Sequence, residues 1–223
     1  MNGLPVIFLF GIIAVAAMIY SAIAAKKRRE DMAALATRLG LSFCPGEDYS
    51  MAERFSFLTE LAQGSNRYAF NVLSGHYQDK DVLAFDYHYE TYYYDKNGRH
   101  TTHYYFSFLL LTLPLPFPEL KIRHEGLLSK IAQAFGYDDI NFESAEFSKT
   151  FCVRSPDKKF AYDFCNARMI EYLLDNRDVS IEVEQNALAL VFNGQLAVEK
   201  FELDLQRLEE IRSRMPEYLF DAK

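Results

Sequence analysis

The chain has 223 residues, of which half are hydrophobic and a quarter charged, and it carries a formal net charge of −7. That composition supplies a substantial core and excludes a disordered chain. Four of the basic residues, Lys26 to Arg29, fall together, which leaves the remainder more acidic still; such a surface repels phosphate backbones and excludes nucleic acid as a partner.

Leu4 to Ala25 is uncharged over about 22 residues, long enough as a helix to cross a hydrocarbon core of about 30 Å. A secretory signal peptide fits less well, because no basic residue precedes the apolar run, although Ala22, Ile23 and Ala24 resemble a cleavage site. The run is therefore read as a transmembrane helix contacting the lipid bilayer through residues 4–25. The basic cluster directly follows it, so the positive-inside rule places the N-terminus outside and the remaining chain in the cytoplasm, at the inner (plasma) membrane, single-pass. Residues 26–40 read as a basic juxtamembrane helix with Met32, Leu35 and Leu39 on one side and Gly40 as its stop. Cys44, Cys152 and Cys165 show no CxxC spacing; reduced packing thiols fit better than a disulfide framework or a zinc knuckle.

Residues 41–223 read as one α+β domain with a mainly antiparallel sheet and three to four helices. Tyr68–Ser74 is a short strand. Asp81–Tyr94 and Arg99–Leu113 are long, aromatic and β-branched, and the Asn97-Gly98 pair between them predicts a hairpin. A turn centred on that pair sets Tyr89 against Phe106, Tyr87 against Phe108 and Phe85 against Leu110, an apolar face for the core. The other face carries Asp86, His88, Glu90 and Tyr92 beside His103, Tyr105 and Ser107. Pro114, Pro116 and Pro118 then end the sheet segment as an edge or extended connector. Glu125–Phe135 has helical spacing closed by Gly136, and Phe147–Arg154 reads as a strand. Ser155-Pro156-Asp157 reads as a helix start, with Ser155 as cap, and Asn166 as the cap of a second short helix. Val179–Val183 and Ala187–Phe192 suggest another hairpin. Phe201, Leu205, Leu208 and Ile211 mark a last amphipathic helix stopped by Pro216.

The stretch Phe142–Leu174 resembles the centre of an uncharacterised bacterial family, domain-of-unknown-function family 3137. Phe147, Phe151, Val153, Asp157, Ala161 and the Met169-Ile170-Glu171 turn carry the resemblance, with the segment from Leu188 to Phe201-Glu202, and Ala167 stands where a proline is expected. About a third of the chain is covered. The resemblance implies a membrane-anchored protein without an assigned activity, and its matching residues are those of a fold.

No GxSxG elbow or phosphate-cradling glycine loop is present, and Cys152 and Cys165 have no evident histidine partner. No cofactor is implied and an enzyme is the less favoured reading. Asp138, Asp139 and Glu143 lack EF-hand spacing. Two candidate sites remain, both on the tyrosine-rich hairpin. Tyr92, Tyr94, His103 and Tyr105 form an interaction surface for an unidentified protein partner, since tyrosine offers a large contact area with a polar tip. His88, Glu90 and His103 form an alternative metal site, two imidazoles and a carboxylate that suit Zn²⁺ or Fe²⁺ in a metal-dependent enzyme or sensor. His100, near the turn, reads as solvated.

Overall fold

The computed structural model describes residues 4–96, 98–124 and 139–221, and of residues 4–8 and 10 the backbone only. The expected helix at Glu125–Phe135 lies outside the described residues, as does Asn97.

The apolar run and the basic stretch are a single helix, α1 (Leu4–Leu39). Its two halves meet different surroundings. Leu9, Ile12, Ile13, Met18, Ile19 and Ile23 are exposed, whereas Met32, Leu35 and Ala36 are buried in the main core. Residues 26–40 thus pack into the domain through Met32, Leu35 and Ala36. Gly40, at φ +69°, stops the helix through a paired closure in which Leu41 N donates to Ala36 O at 2.8 Å and Gly40 N to Thr37 O. Among the described residues, no helix is long and apolar enough to cross a membrane.

The fold is α+β, and the described residues form a six-stranded antiparallel sheet. Strand β1 (Ser42–Cys44) edges β2 (Ser65–Tyr77), which pairs with β3 (Lys80–Asp95) and then the 27-residue β4 (Gly98–His124). Gln78 and Asp79 join β2 to β3, both at positive φ as a type I′ turn requires. Strand β4 is paired twice over. One edge takes β3 as far as Leu111 and then β5 (Phe151–Arg154); the other takes β6 (Ile181–Asn193) along most of its length.

Several local expectations need correction. The β3–β4 register places Asp95 opposite Gly98, so Tyr89 faces Tyr104, Tyr87 faces Phe106 and Phe85 faces Phe108. This is two residues from the pairing a turn at Asn97-Gly98 gives, and an even shift preserves the faces. The prolines do not end β4. Pro114, Pro116 and Pro118 sit where β3 has stopped and the β6 ladder skips from Thr112 to Phe117 to Leu120, so no ladder bond is asked of them. The predicted hairpin at Val179–Phe192 is one strand. Gln185, at φ +51°, absorbs a bulge instead of reversing the chain, because β4 offers a partner on both sides of it.

Six α-helices are present among the described residues, rather than three to four in the domain. The additions are short: α2 (Met51–Arg54), and α3 (Ala145–Thr150), which takes the first half of the expected Phe147–Arg154 strand because Ser144 caps it by accepting from Phe147 N. For α4 (Lys158–Phe164) the cap is Asp157, accepting from Phe160 N at 2.9 Å; Ser155 instead bonds Glu119 O. Asn166 caps α5 (Ala167–Asp175) as expected, and α6 (Phe201–Arg214) ends before Pro216.

The sheet separates two apolar clusters. Phe85, Tyr87, Phe108 and Leu110 pack beneath α2 and a 3-10 turn at Thr59–Ala62. Ala84, Leu109, Leu188 and Leu190 pack with α1, α4, α5 and α6 on the opposite face. Cys165 is fully buried there, and burial pushes its thiol far above the usual range, whereas Cys44 is exposed. An alkylating reagent at neutral pH should therefore modify Cys44 in the folded protein and Cys165 only after denaturant is added. Mass-spectrometric mapping of a labelling time course checks this, and native-state modification of Cys165 would contradict the packing.

Candidate functional site

The face of the hairpin that carries Asp86, His88 and Glu90 is not uniformly solvated. It grades from a sealed polar layer at Asp86, through a half-open cluster at His88, to a free tip.

Asp86 is 1% exposed. Arg28 reaches it from α1 with a two-pronged contact, Nε to Oδ2 at 2.8 Å and Nη2 to Oδ1 at 2.7 Å, while its third nitrogen donates to Leu196 O at 2.8 Å. Asn71 Nδ2 and Ser107 Oγ also donate to Asp86, at 2.8 and 2.6 Å, and Leu196 N donates back to Ser107 Oγ at 2.9 Å. A buried carboxylate is tolerable because its acceptor sites are filled by donors fixed on separate elements. Arg28 thus belongs to the interior and not to a free cluster of membrane-facing charge; the basic run gave no signal that one of its four members would turn inward.

Two residues further along β3 is His88, 2% exposed. It is flanked by the rings of Tyr68 on β2 and Tyr105 on β4, with centroids at 4.7 and 5.0 Å. Its Nδ1 lies 3.1 Å from Asn66 O. A carbonyl only accepts, so Nδ1 carries the proton and the Nε2 lone pair points the other way, at His103 Nδ1 3.0 Å distant. Burial lowers the His88 pKa, with the Asn66 carbonyl pulling in the opposite direction. Glu90 stands directly across from His103 in the ladder. Its Oε1 accepts from Asn66 Nδ2 and lies 3.9 Å from His103 Nδ1; its Oε2 lies 3.9 Å from Arg99. The Asn66 bond is the largest influence holding the Glu90 carboxyl below its ordinary value.

Asn66 occupies both roles because it sits in a bulge, at φ +49°, where the β2–β3 register shifts between Ser65 and Tyr68. Gly64 makes the approach possible. It has φ +63°, and a Cβ there would lie 2.3 Å from Glu90 O and 2.6 Å from the Tyr89 ring. One ligand atom from each of His88, Glu90 and His103 lies within 4.8 Å of the others. The structure thus brings together the three residues singled out as a metal set, and separates His103 and Tyr105 from the tip, where Tyr92, Tyr93 and Tyr94 are exposed. His100 is occupied by ring stacking on Tyr93 and by Asp95 at 3.0 Å.

Sequence reading missed a second polar group. Arg123 lies between two buried carboxylates, 3.3 Å from Glu60 and hydrogen-bonded to Glu182, whose other oxygen accepts from Thr59 N at 2.9 Å. Burial raises the Glu60 pKa, with Arg123 opposing. The group borders a cavity of about 520 Å³ that Lys200, Asp204 and Arg207 also line. Asp139, one of the acids without EF-hand spacing, accepts from Arg154 and Cys152.

No family model matches the chain and no curated protein matches it either. Among solved structures, the crystal structure of the mycobacterial trehalose monomycolate transport factor A, TtfA, is similar over 84% of this chain and 96% of that one, with TM-score 0.62 and 14% identity. At that identity the likeness is one of fold alone.

Removing one member of a buried ion pair strands the other. Arg28→Ala should therefore lower stability by about 3–5 kcal/mol, and an Arg28→Met, Asp86→Leu double variant by clearly less. Denaturant titrations of the three proteins check this. Gly64→Ala should be destabilising by at least about 1–3 kcal/mol, since both the backbone conformation and the approach to Glu90 are lost.

Proposed function

We propose that this protein is a membrane-tethered interaction module: α1 holds it at the bilayer and the tyrosine-rich hairpin contacts a protein partner there. The observation that carries this reading is the division of one unbroken helix. The described apolar side chains of its first half are exposed, while its second half is fastened into the domain by Met32, Leu35 and the Arg28–Asp86 pair. Exposed apolar surface of that extent calls for an apolar environment, and an uncharged run of about 22 residues from Leu4 suits a bilayer. Lys26, Lys27 and Arg29, next to the run, support a cytoplasmic domain.

The direction of the hairpin supports the second half of the proposal. Leu41, just past the end of α1, lies against Gly75, which pairs with Val82, whereas Arg28 meets Asp86. Moving toward the N-terminus of α1 is therefore moving along β3 toward its tip. The tip tyrosines thus extend toward the same end of the domain as the apolar half of α1, which supports a contact near the bilayer, since tyrosine suits a boundary between apolar and wet surroundings. A fold shared with a transport factor fits an accessory role beside a membrane transport system; the resemblance to an uncharacterised membrane-anchored family points the same way.

Two measurements test the reading. A chain lacking residues 1–25 should leave the membrane fraction and remain folded, and a full chain that is released from membranes by salt alone would contradict the anchor. Crosslinking in native membranes should trap the wild-type chain with a reproducible partner. The Tyr92→Ala, Tyr93→Ala, Tyr94→Ala triple variant should lose at least about tenfold of that product, as befits removal of interface aromatics. An undiminished yield would remove the hairpin as the contact.

A further inference from the structure

The geometry points to a metal site: we propose that His88, Glu90 and His103 bind one divalent transition-metal ion, zinc by preference, as an open three-ligand site with room for a fourth ligand from solvent. This goes beyond the tethering reading and does not depend on it.

Tetrahedral zinc holds imidazole nitrogens at about 2.0–2.1 Å, which sets two such ligands about 3.3 Å apart. His88 Nε2 and His103 Nδ1 are 3.0 Å apart, and Glu90 Oε1 is 3.9 Å from His103 Nδ1. An ion entering between them needs the two imidazoles to part by about 0.3 Å and Glu90 to close on His103 by about 0.6 Å. All three ligand atoms lie within 4.8 Å of one another, and the half-exposed His103 side chain has room to adjust. The more demanding requirement is orientation. A ligating histidine ordinarily donates its other ring N–H to a carbonyl or carboxylate, which fixes the tautomer and aims the lone pair. His88 is already so arranged, with Nδ1–H on the Asn66 carbonyl and Nε2 facing the site. Glu90 is likewise turned toward the site by the Asn66 side chain.

These supports serve one another. The same bulged residue aims both a histidine and a carboxylate, and Gly64 lets the chain come close enough to do so. An ordinary solvated strand face has no need of such a device. Loading the ion requires His103 to carry its remaining proton on Nε2 rather than Nδ1, a tautomer change without net proton loss. Two imidazoles and a carboxylate favour zinc over magnesium or calcium, which take oxygen ligands. The three donors come from two neighbouring strands, with their second layer on a third, so the ion would also clamp β2, β3 and β4 together at the base of the free tip.

The test uses untagged full-length protein in detergent micelles, stripped with a chelator and titrated with zinc chloride by calorimetry; cobalt(II) absorption reports the coordination geometry. One ion per chain is expected, with a tetrahedral cobalt spectrum. His103→Ala, at a half-exposed position, should weaken zinc binding by at least about 100-fold, because losing a ligand costs more than losing its support. His76→Ala and His100→Ala should bind as the wild type does. Far-UV circular dichroism confirms the fold of each variant. A sub-stoichiometric uptake, an octahedral cobalt spectrum, or zinc affinity that survives His103→Ala would overturn the proposal and leave the pair as an ordinary hydrogen-bonded couple.

Discussion

Asp86 lies under α1, in the middle of β3, with donors from Arg28, Asn71, Ser107 and Gln195 arranged about its two oxygens. Each donor comes from a different part of the chain, so a single buried carboxylate fixes the azimuth of α1, the bulge in β2, the register of β4 and the path of the segment leading to α6. Apolar packing alone would let α1 slide or rotate over the sheet, because hydrophobic contact is non-directional. A two-pronged guanidinium contact has one satisfactory geometry. The arrangement is one of specificity more than of net stability, since a buried pair recovers little beyond its own desolvation.

From that point the hairpin changes character in steps of two residues. Asp86 is sealed by α1, His88 is walled by tyrosines but opens toward His103, Glu90 reaches the boundary, and Tyr92 and Tyr94 are exposed. One face of one strand thus serves as core, then as a polar pocket, then as surface. The alternation that assigns residues to faces is blind to this gradient, because it depends on how far the covering helix extends and where it leaves the sheet.

That distinction explains which features were legible in the sequence. The antiparallel α+β class, the apolar face of Phe85, Tyr87 and Phe108, the Gly40 stop and the Asn166 cap all follow from local chemistry and are present in the structure. The grouping of His88, Glu90 and His103 was legible because cross-strand parity survives an even shift of register. Features settled by a distant partner were not legible. Gln185 reads as a turn until β4 is seen to run past both sides of it. Ser155 reads as a cap until Glu119 claims its hydroxyl. Arg28 reads as one more juxtamembrane cation until Asp86 is in place. The bulge at Asn66 had no signature beyond a Gly64-Ser65-Asn66 run that looks like any loop.

The Arg28 contact with Leu196 joins groups 168 positions apart. During synthesis the arginine emerges well before the carbonyl it requires, which lies in the segment just ahead of α6. Until then α1 can lie against the sheet and Arg28 can meet Asp86 on β3, but Asp86 lacks the closure that the segment around Leu196 supplies. The nascent chain therefore carries this charge pair without its last partners until Leu196 has emerged. Final docking of the first helix is deferred until the segment around Leu196 has left the ribosome, so two segments far apart in the chain complete the fold together.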